Sequence, residues 1–382
     1  MDKEKPTDKQ LVLIGNAASP HCRIRAAGIA RRYSGPTAFL DTDQKPGWKA
    51  PPLQYSWIAV PVALNIPKIR GIIRVVRAVK LIRDLKPATL FVFYLDTFAI
   101  LLLLTVRCRY FVSVWGGDLL EAQGALRSPL LRRLAGRVLR RAEKVFCVSQ
   151  ELVKRTCELT GNYTQNMPVL QHYGVDLQQL SYRPPSSVMD KVAARLFCPR
   201  WPLPVYNVET VVRAVAKVQE HDPTVSLVLR NEYLKPESGT LRTLSKVEEL
   251  VASSPSPDNF EYLGFVTPKE LSAAYDKSHI IISLSFSDGT PVTILEAMAK
   301  GKIVICGRIP SLEAIIQDGV NGFLVDANDE DQVARLILSI VQNLETHART
   351  IGPAARRFVE ESADLDKEID AYLRYILHTN ND

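Results

Sequence analysis

The sequence has no Cys-x-x-Cys pair and no His/Cys cluster. Its six cysteines (Cys22, Cys108, Cys147, Cys157, Cys198 and Cys306) and six histidines are scattered along the chain. That spacing argues against a zinc site and against a disulfide framework, and it suits a reducing compartment. No low-complexity tract or internal repeat is apparent. The first ten residues, MDKEKPTDKQ, mix acids with bases and do not read as a signal peptide. The most apolar run, Leu90–Val106, is 17 residues long and contains Asp96. It sits at the lower limit for a membrane span and reads instead as a buried strand, a loop at Tyr94–Asp96 and a core helix. Acids are scarce in the first half. Through residue 185 there are 28 Lys+Arg against 13 Asp+Glu, and thereafter 20 against 28. A basic half of this kind faces an anionic partner, nucleic acid or membrane. No aromatic-interleaved basic motif is present to favour nucleic acid.

What is present is the make-up of a globular protein, with 46% hydrophobic and 23% charged residues. A chain of 382 residues exceeds one compact core and predicts two domains. Leu11–Ile14, the helix Arg23–Tyr33 and Thr37–Leu40 form a βαβ start and so a parallel sheet. No Gly-x-Gly-x-x-Gly follows the first strand, so the dinucleotide fingerprint is absent. Lys68–Lys86 has apolar residues at helical spacing (Ile69, Ile72, Ile73, Val76, Val79, Ile82) with Arg70, Arg74, Arg77 and Lys80 between them. A second basic helix runs from about Pro129 to Lys144. Such helices fit an anionic lipid surface, or equally two core-packed helices with solvated Arg faces. Phe111–Val114 reads as a strand that leads into Trp115-Gly116-Gly117-Asp118. This sets a carboxylate at a sheet's carboxyl edge, where α/β proteins build sites. A loop Asp that caps the next helix is the alternative reading.

The most organised stretch is Ile280–Gly301. Ile280–Ile282 reads as a buried parallel strand. Thr290 suits a helix N-cap, Pro291 the first helical position and Gly301 the C-terminal cap. The loop between them, Ser285–Gly289, leaves an open helix N-terminus that attracts an anion, phosphate above all. Asp288 and Glu296 flank it and would repel phosphate, so they are expected to meet hydroxyl groups. A nucleotide-sugar, with a central diphosphate and hydroxylated rings at both ends, fits. An ordinary βα unit with a capped helix is the plain alternative.

The run DGTPVTILEAMAKGKIVI, followed by Ser311-Leu312-Glu313 and DGVNGFLV (Asp318–Val325), resembles the C-terminal signature of family 4 glycosyltransferases. The resemblance is strongest over residues 196–326. It implies two doubly wound Rossmann-like α/β domains facing a central cleft (the GT-B fold). The expected divisions are 1–184 (basic, acceptor side), 185–355 (donor side) and a C-terminal helix over 356–382 that packs back on the first domain. Arg183–Ser187 is the expected linker. The resemblance further implies that Arg200 binds the donor diphosphate with Gly289, Thr290, Pro291 and Val292. Glu296 holds the ribose, Asp288 holds the donor sugar and the turn at Phe265 borders the base. His21 and Asp118 become candidates on the acceptor side. The family commonly has Glu where this chain has Asp288, and a Lys shortly after Arg200 where this chain has Tyr206-Asn207. Its usual Gly-x-Gly is replaced by Arg230-Asn231-Glu232. The implied activity is sugar transfer from a nucleotide-sugar to a lipid-linked or cell-surface glycan. Configuration is retained, with no metal and no cofactor beyond the donor. The expected setting is cytoplasmic, on the inner face of the cell membrane. A nucleotide-sugar-binding protein without turnover is the second reading.

Overall fold

In the computed structural model the residues described are 9–42, 56–58, 67–119, 126, 128–161, 168–170, 172–182, 193–231, 238–264 and 266–378. They form two compact units, Met1–His172 with Leu365–Asp382, and Tyr173–Asp364. The first holds strands β1 (Leu11–Gly15), β2 (Thr37–Asp41), β3 (Ser56–Ile58), β4 (Thr89–Phe93), β5 (Arg109–Val114), β6 (Lys144–Cys147) and β7 (Val169–Leu170). Its helices are α1 (Pro20–Arg32), α2 (Pro67–Leu85), α3 (Thr97–Thr105), α4 (Pro129–Arg141) and α5 (Gln150–Thr160). The second unit holds β8 (Arg195–Phe197), β9 (Ser226–Arg230), β10 (Phe260–Leu263), β11 (Ile280–Ser283), β12 (Ile303–Gly307) and β13 (Phe323–Val325). Its helices are α6 (Val208–Gln219), α7 (Ser238–Ala252), α8 (Pro268–Lys277), α9 (Val292–Ala299), α10 (Pro310–Glu313), α11 (Glu330–Gln342) and α12 (Leu344–Ser362). Helix α13 (Leu365–His378) belongs to the first unit again.

Both sheets are parallel throughout. The strand orders are β3-β2-β1-β4-β5-β6-β7 and β10-β9-β8-β11-β12-β13. Parallel strands need helical crossovers, and helices on both faces bury the strands completely. Accordingly β1, β4, β11 and β12 are buried from end to end. In the first unit α2, α3, α4 and α5 pack side by side, while α1 packs with α13. The expected doubly wound α/β architecture is present in each unit.

The unit boundary falls at Tyr173, earlier than the expected 184. The polar Pro/Ser run marks a break in composition, but the chain has already joined the second unit there. Val175 bridges to Asp364, and Arg356 Nη1 donates to the carbonyls of Leu180 (2.8 Å) and Ala299 (2.7 Å). Where one C-terminal helix was expected over 356–382, the described residues form the end of α12 and a separate helix α13. Val175 N–H takes the carbonyl of Ala363 (2.9 Å), and the chain turns there. Hence α12 stays with the second unit, and the return begins at Leu365 rather than 356.

Helix α13 is held by a buried ion pair. Arg25 on α1 is 2% exposed and Glu368 is 0% exposed. Arg25 Nε donates to Oε1 (2.9 Å) and Nη2 to Oε2 (2.6 Å), a bidentate fork. The Tyr372 hydroxyl donates to Glu368 Oε1, and it lies 3.1 Å from Ser113 Oγ on β5. A Cβ at Gly28 would stand 2.1 Å from Ile369 Cδ1, so any larger residue there would require the tip of the Ile369 side chain to move. Tyr372 also packs against Phe91 and Phe146.

Breaking a buried pair leaves an uncompensated charge. Glu368→Ala is therefore expected to lose about 3–5 kcal/mol of stability. The loss would be read as a lowered midpoint of urea unfolding, with Glu368→Gln less harmful. An unchanged midpoint in Glu368→Ala would contradict this account.

Candidate functional site

In an open parallel sheet, neighbouring strands whose crossovers run in opposite directions leave a gap at their carboxyl ends. In the second unit that reversal lies between β8 and β11, which are paired neighbours. The β8 loop carries Arg200 and the β11 loop carries residues 284–291. The topology thus joins residues 88 positions apart in sequence.

Arg200 is 7% exposed. Its Nε donates to Ser283 Oγ (2.9 Å), at the end of β11. Its Nη2 donates to Asp288 Oδ2 in an ion pair. Its guanidinium lies over the Tyr206 ring, 4.8 Å from the centroid. Tyr206 closes the short 3-10 turn Pro204–Tyr206, and Phe286 N–H bonds to the carbonyl of Val205 (2.9 Å), tying the two loops together. Asn207 then takes a left-handed conformation (φ 50°), with Nδ2 donating to the Ala327 carbonyl (2.7 Å) and Oδ1 accepting from Thr210 (2.8 Å). Tyr206 and Asn207 thus support Arg200 and anchor its loop.

Helix α9 begins at Val292, one position later than expected. Pro291 is the N-cap and gives no side-chain cap, and Thr290 lies outside the helix. The proline ring has no group that accepts from the first turn, and the Pro291 carbonyl instead takes the N–H groups of Ile294 (2.9 Å) and Leu295 (3.2 Å). Gly289 and Pro291 are buried, and Thr290 and Val292 partly so. Gly301 ends the helix with φ 68°, as expected of a left-handed cap.

Glu296 stands one turn into α9. Its Oε2 accepts from the Tyr275 hydroxyl (3.2 Å), which also donates to the Thr293 carbonyl (3.1 Å). Desolvation raises the Glu296 pKa to about 7, against the opposing pull of the Tyr275 hydrogen bond and Lys300. Burial, and then the Glu296 charge, push the Tyr275 hydroxyl well above the usual tyrosine range. Arg200 and Arg230 act in the other direction. Both cations therefore act at this hydroxyl. Arg230, at the end of β9, lies over Trp201 (5.8 Å). Sequence reasoning missed Ser283, Tyr275 and Arg230 as parts of the site. The first two read as ordinary strand and helix residues, and Arg230 carried a signal only as the replacement for a missing glycine pair. Phe265 lies outside the described residues.

The first-unit candidates separate. His21 is exposed in the first turn of α1. The turn before it is not an anion cradle, because Ala17 N–H bonds to Asp41 Oδ1 (3.0 Å) and Ala18 N–H to Asn16 Oδ1 (2.8 Å). Asp118 is completely buried and turned into its own loop. It accepts from the backbone N–H groups of Gly116 (2.8 Å), Trp115 (3.1 Å) and Leu95 (3.2 Å). This corrects its expected catalytic role: the carboxylate organises the loops after β4 and β5. Burial raises its pKa, with the same N–H groups opposing the shift. Among the described residues, no three His, Cys, Asp or Glu side chains are grouped to hold a metal ion.

Residues 202–358 match the family model described as "Glycosyl transferases group 1". The chain is similar to a D-inositol 3-phosphate glycosyltransferase of Salinispora arenicola, with 27% identity over 155 residues. That match spans 40% of this chain and only 34% of the relative. Its fold is similar to that of a sucrose-phosphate synthase from Thermosynechococcus elongatus (TM-score 0.76, 15% identity, 97% of this chain and 100% of that one). It is also similar to Anabaena HepE in complex with UDP-glucose (TM-score 0.72, 14% identity, 96% and 99% covered). At these identities the solved structures establish the GT-B fold.

The raised Glu296 pKa has a signed consequence for stability. Well below pH 4.5 the carboxyl is protonated whether folded or unfolded and contributes nothing. As pH rises from there to about 7 the unfolded chain ionises first, so stability falls, and above 7 the full penalty is present. Glu296→Gln is expected to melt higher than the wild type above pH 7 and at the same temperature well below pH 4.5. A pH-independent difference in melting temperature would contradict this.

Proposed function

We propose that this glycosyltransferase family 4-like chain transfers a sugar from a nucleotide-sugar to a lipid-linked or cell-surface glycan, with retention of configuration. The observation that carries the reading is the Arg200 clamp beside the uncapped start of α9 at the switch point of the second sheet. As the donor bond breaks, charge builds on the leaving diphosphate. Arg200 and the N–H groups of Gly289, Thr290 and Val292 stabilise that charge. Pro291 has no N–H and contributes shape alone. Arg230 supplies the second cation where the family's lysine is missing. Glu296 accepts from the ribose hydroxyls and Asp288 from those of the donor sugar. In the ligand-free protein Asp288 neutralises Arg200, so the arriving diphosphate takes over part of that pairing and frees Asp288 for the sugar. His21 serves the acceptor side. The chemistry assigned to these residues uses no metal. The UDP-glucose bound by HepE is support for the donor class.

The test is thermal shift and nucleotide-sugar hydrolysis over a panel of UDP-, GDP- and ADP-sugars. One donor is expected to raise the melting temperature. Arg200→Ala should weaken its binding about 10- to 100-fold, the worth of a hydrogen bond to a charged group. Because the ionised Glu296 accepts both ribose hydroxyls, donor affinity should rise as pH passes through about 7. Glu296→Gln should flatten that dependence. No shift with any donor sinks the donor-site assignment. Binding without hydrolysis or transfer favours the nucleotide-sugar-binding reading.

A further inference from the structure

The buried carboxylate of Asp118 ties two loops together at the carboxyl edge of the first sheet, and what those loops hold out is the ring of Tyr94. Tyr94 follows β4 and Trp115 follows β5, which are paired neighbours. Asp118 Oδ2 accepts from Leu95 N–H (3.2 Å) and from Trp115 N–H (3.1 Å), so one group fixes both loops. Tyr94 N–H bonds to the Ser113 carbonyl (2.9 Å), and the Tyr94 carbonyl takes Asp96 N–H (3.2 Å). Held on both sides, Tyr94 adopts a left-handed conformation with φ 73°. A bulky side chain rarely enters that region, and a turn that needs it ordinarily takes glycine or asparagine. Tyrosine kept there against the strain points to a use for its ring.

The ring is 36% exposed, whereas Phe93 and Leu95 on either side of it are buried. Behind it Trp115 stands edge to face, with ring centroids 6.4 Å apart and planes at 65°. Trp115 is itself fixed. Its Nε1 donates to Ser113 Oγ (2.9 Å), the Arg25 guanidinium lies over its ring (5.5 Å) and Phe93 packs beside it (6.0 Å). A ring held in this way loses little freedom when a ligand covers it. The residues next along the loop are polar. Thr97 is exposed, and the half-buried Asp96 caps α3 by accepting from Ala99 N–H (2.7 Å). Burial, and then the charges of Asp118 and Asp96, hold the Tyr94 hydroxyl above the usual tyrosine range, so it stays a protonated donor.

We propose that Tyr94 is the stacking platform for a neutral pyranose ring of the acceptor glycan. A pyranose chair with axial C–H groups along one face is apolar there and hydroxylated at its rim. The negative face of an aromatic ring matches the first, and the Tyr94 hydroxyl, Asp96 and Thr97 match the second. The two carboxylates that act on the Tyr94 hydroxyl disfavour an anionic group at this place. A hydrocarbon tail is not matched either, because Leu95, the one aliphatic residue between Tyr94 and Thr97, is 0% exposed. The inference rests on the proposed transfer reading for the ring's role as acceptor, whereas its binding is measured without any donor.

The experiment is saturation-transfer NMR of the full chain with methyl β-D-glucopyranoside, which has axial C–H groups along one face, and with glycerol as a polyol that has no ring. Saturation of the axial ring protons of the glucoside, and none of glycerol, is expected. Tyr94→Ala should weaken glucoside binding about tenfold. Tyr94→Phe, which keeps the ring, should retain most of it. Tyr94→Asn puts a residue at ease in left-handed backbone at this position, and it should lose binding while melting close to the wild type. No saturation of the glucoside overturns the proposal, as does equal saturation in Tyr94→Ala. Lost binding in Tyr94→Ala and Tyr94→Asn together with a lowered melting temperature in both would make the ring a packing element, which also overturns it. So does saturation that survives Tyr94→Ala and disappears in Arg200→Ala, because the glucoside would then occupy the donor site. A donor panel that gives no thermal shift, with glucoside saturation still dependent on Tyr94, fells the donor assignment alone and leaves the platform supported.

Discussion

Burial of a parallel sheet on both faces is the constraint from which the rest follows. Strands such as Ile280–Ser283 and Ile303–Gly307 have no solvent side, so they can offer nothing polar along their length. Groups that do chemistry are confined to the strand ends. The order β10-β9-β8-β11-β12-β13 then decides which ends meet. Arg200, Ser283, Arg230 and the start of α9 come together because β9, β8 and β11 are consecutive in the sheet, though not in the chain.

Within that edge, low exposure makes each charge depend on its partners. A guanidinium as buried as Arg200 needs an opposite charge, and Asp288 supplies it in the ligand-free protein. Ser283 and the Tyr206 ring fix its direction. Glu296 is handled differently. It receives one hydroxyl hydrogen bond from Tyr275 and no direct cation, so desolvation dominates and its carboxyl holds a proton up to about pH 7. The two acids that the sequence pattern presents as a matched pair thus carry different electrostatic loads.

The first unit applies the same rule to a structural end. Arg25 and Glu368 are 343 residues apart, and their fork ties the last helix to the first. Asp118 satisfies three backbone N–H groups and so shapes a loop at the sheet edge instead of facing outward. Polar residues at a sheet's carboxyl end are therefore not all site residues. Some are needed to satisfy the backbone that the buried strands leave exposed at their ends.

The amino-acid sequence by itself determined the elements and their class. Apolar β-branched runs alternating with amphipathic stretches specify parallel α/β layers, and the DGTPVTILEAMAKG run specifies a loop, a helix and its glycine stop. It also marked Asp288 and Glu296 through a motif whose spacing is local, and Arg200 only through the family resemblance. Only the tertiary structure decided that Arg200 pairs with Asp288, that Tyr275 holds Glu296, that Asp118 turns inward and that the chain breaks at Ala363. It alone decided that Ile72 and Val76 face outward. The reason is physical. Periodicity records that a helix has two faces, but which neighbour covers a face is set by crossover direction and by contacts hundreds of residues away. A side chain's partner has no local signature when the sheet order, rather than the chain, brings the two together.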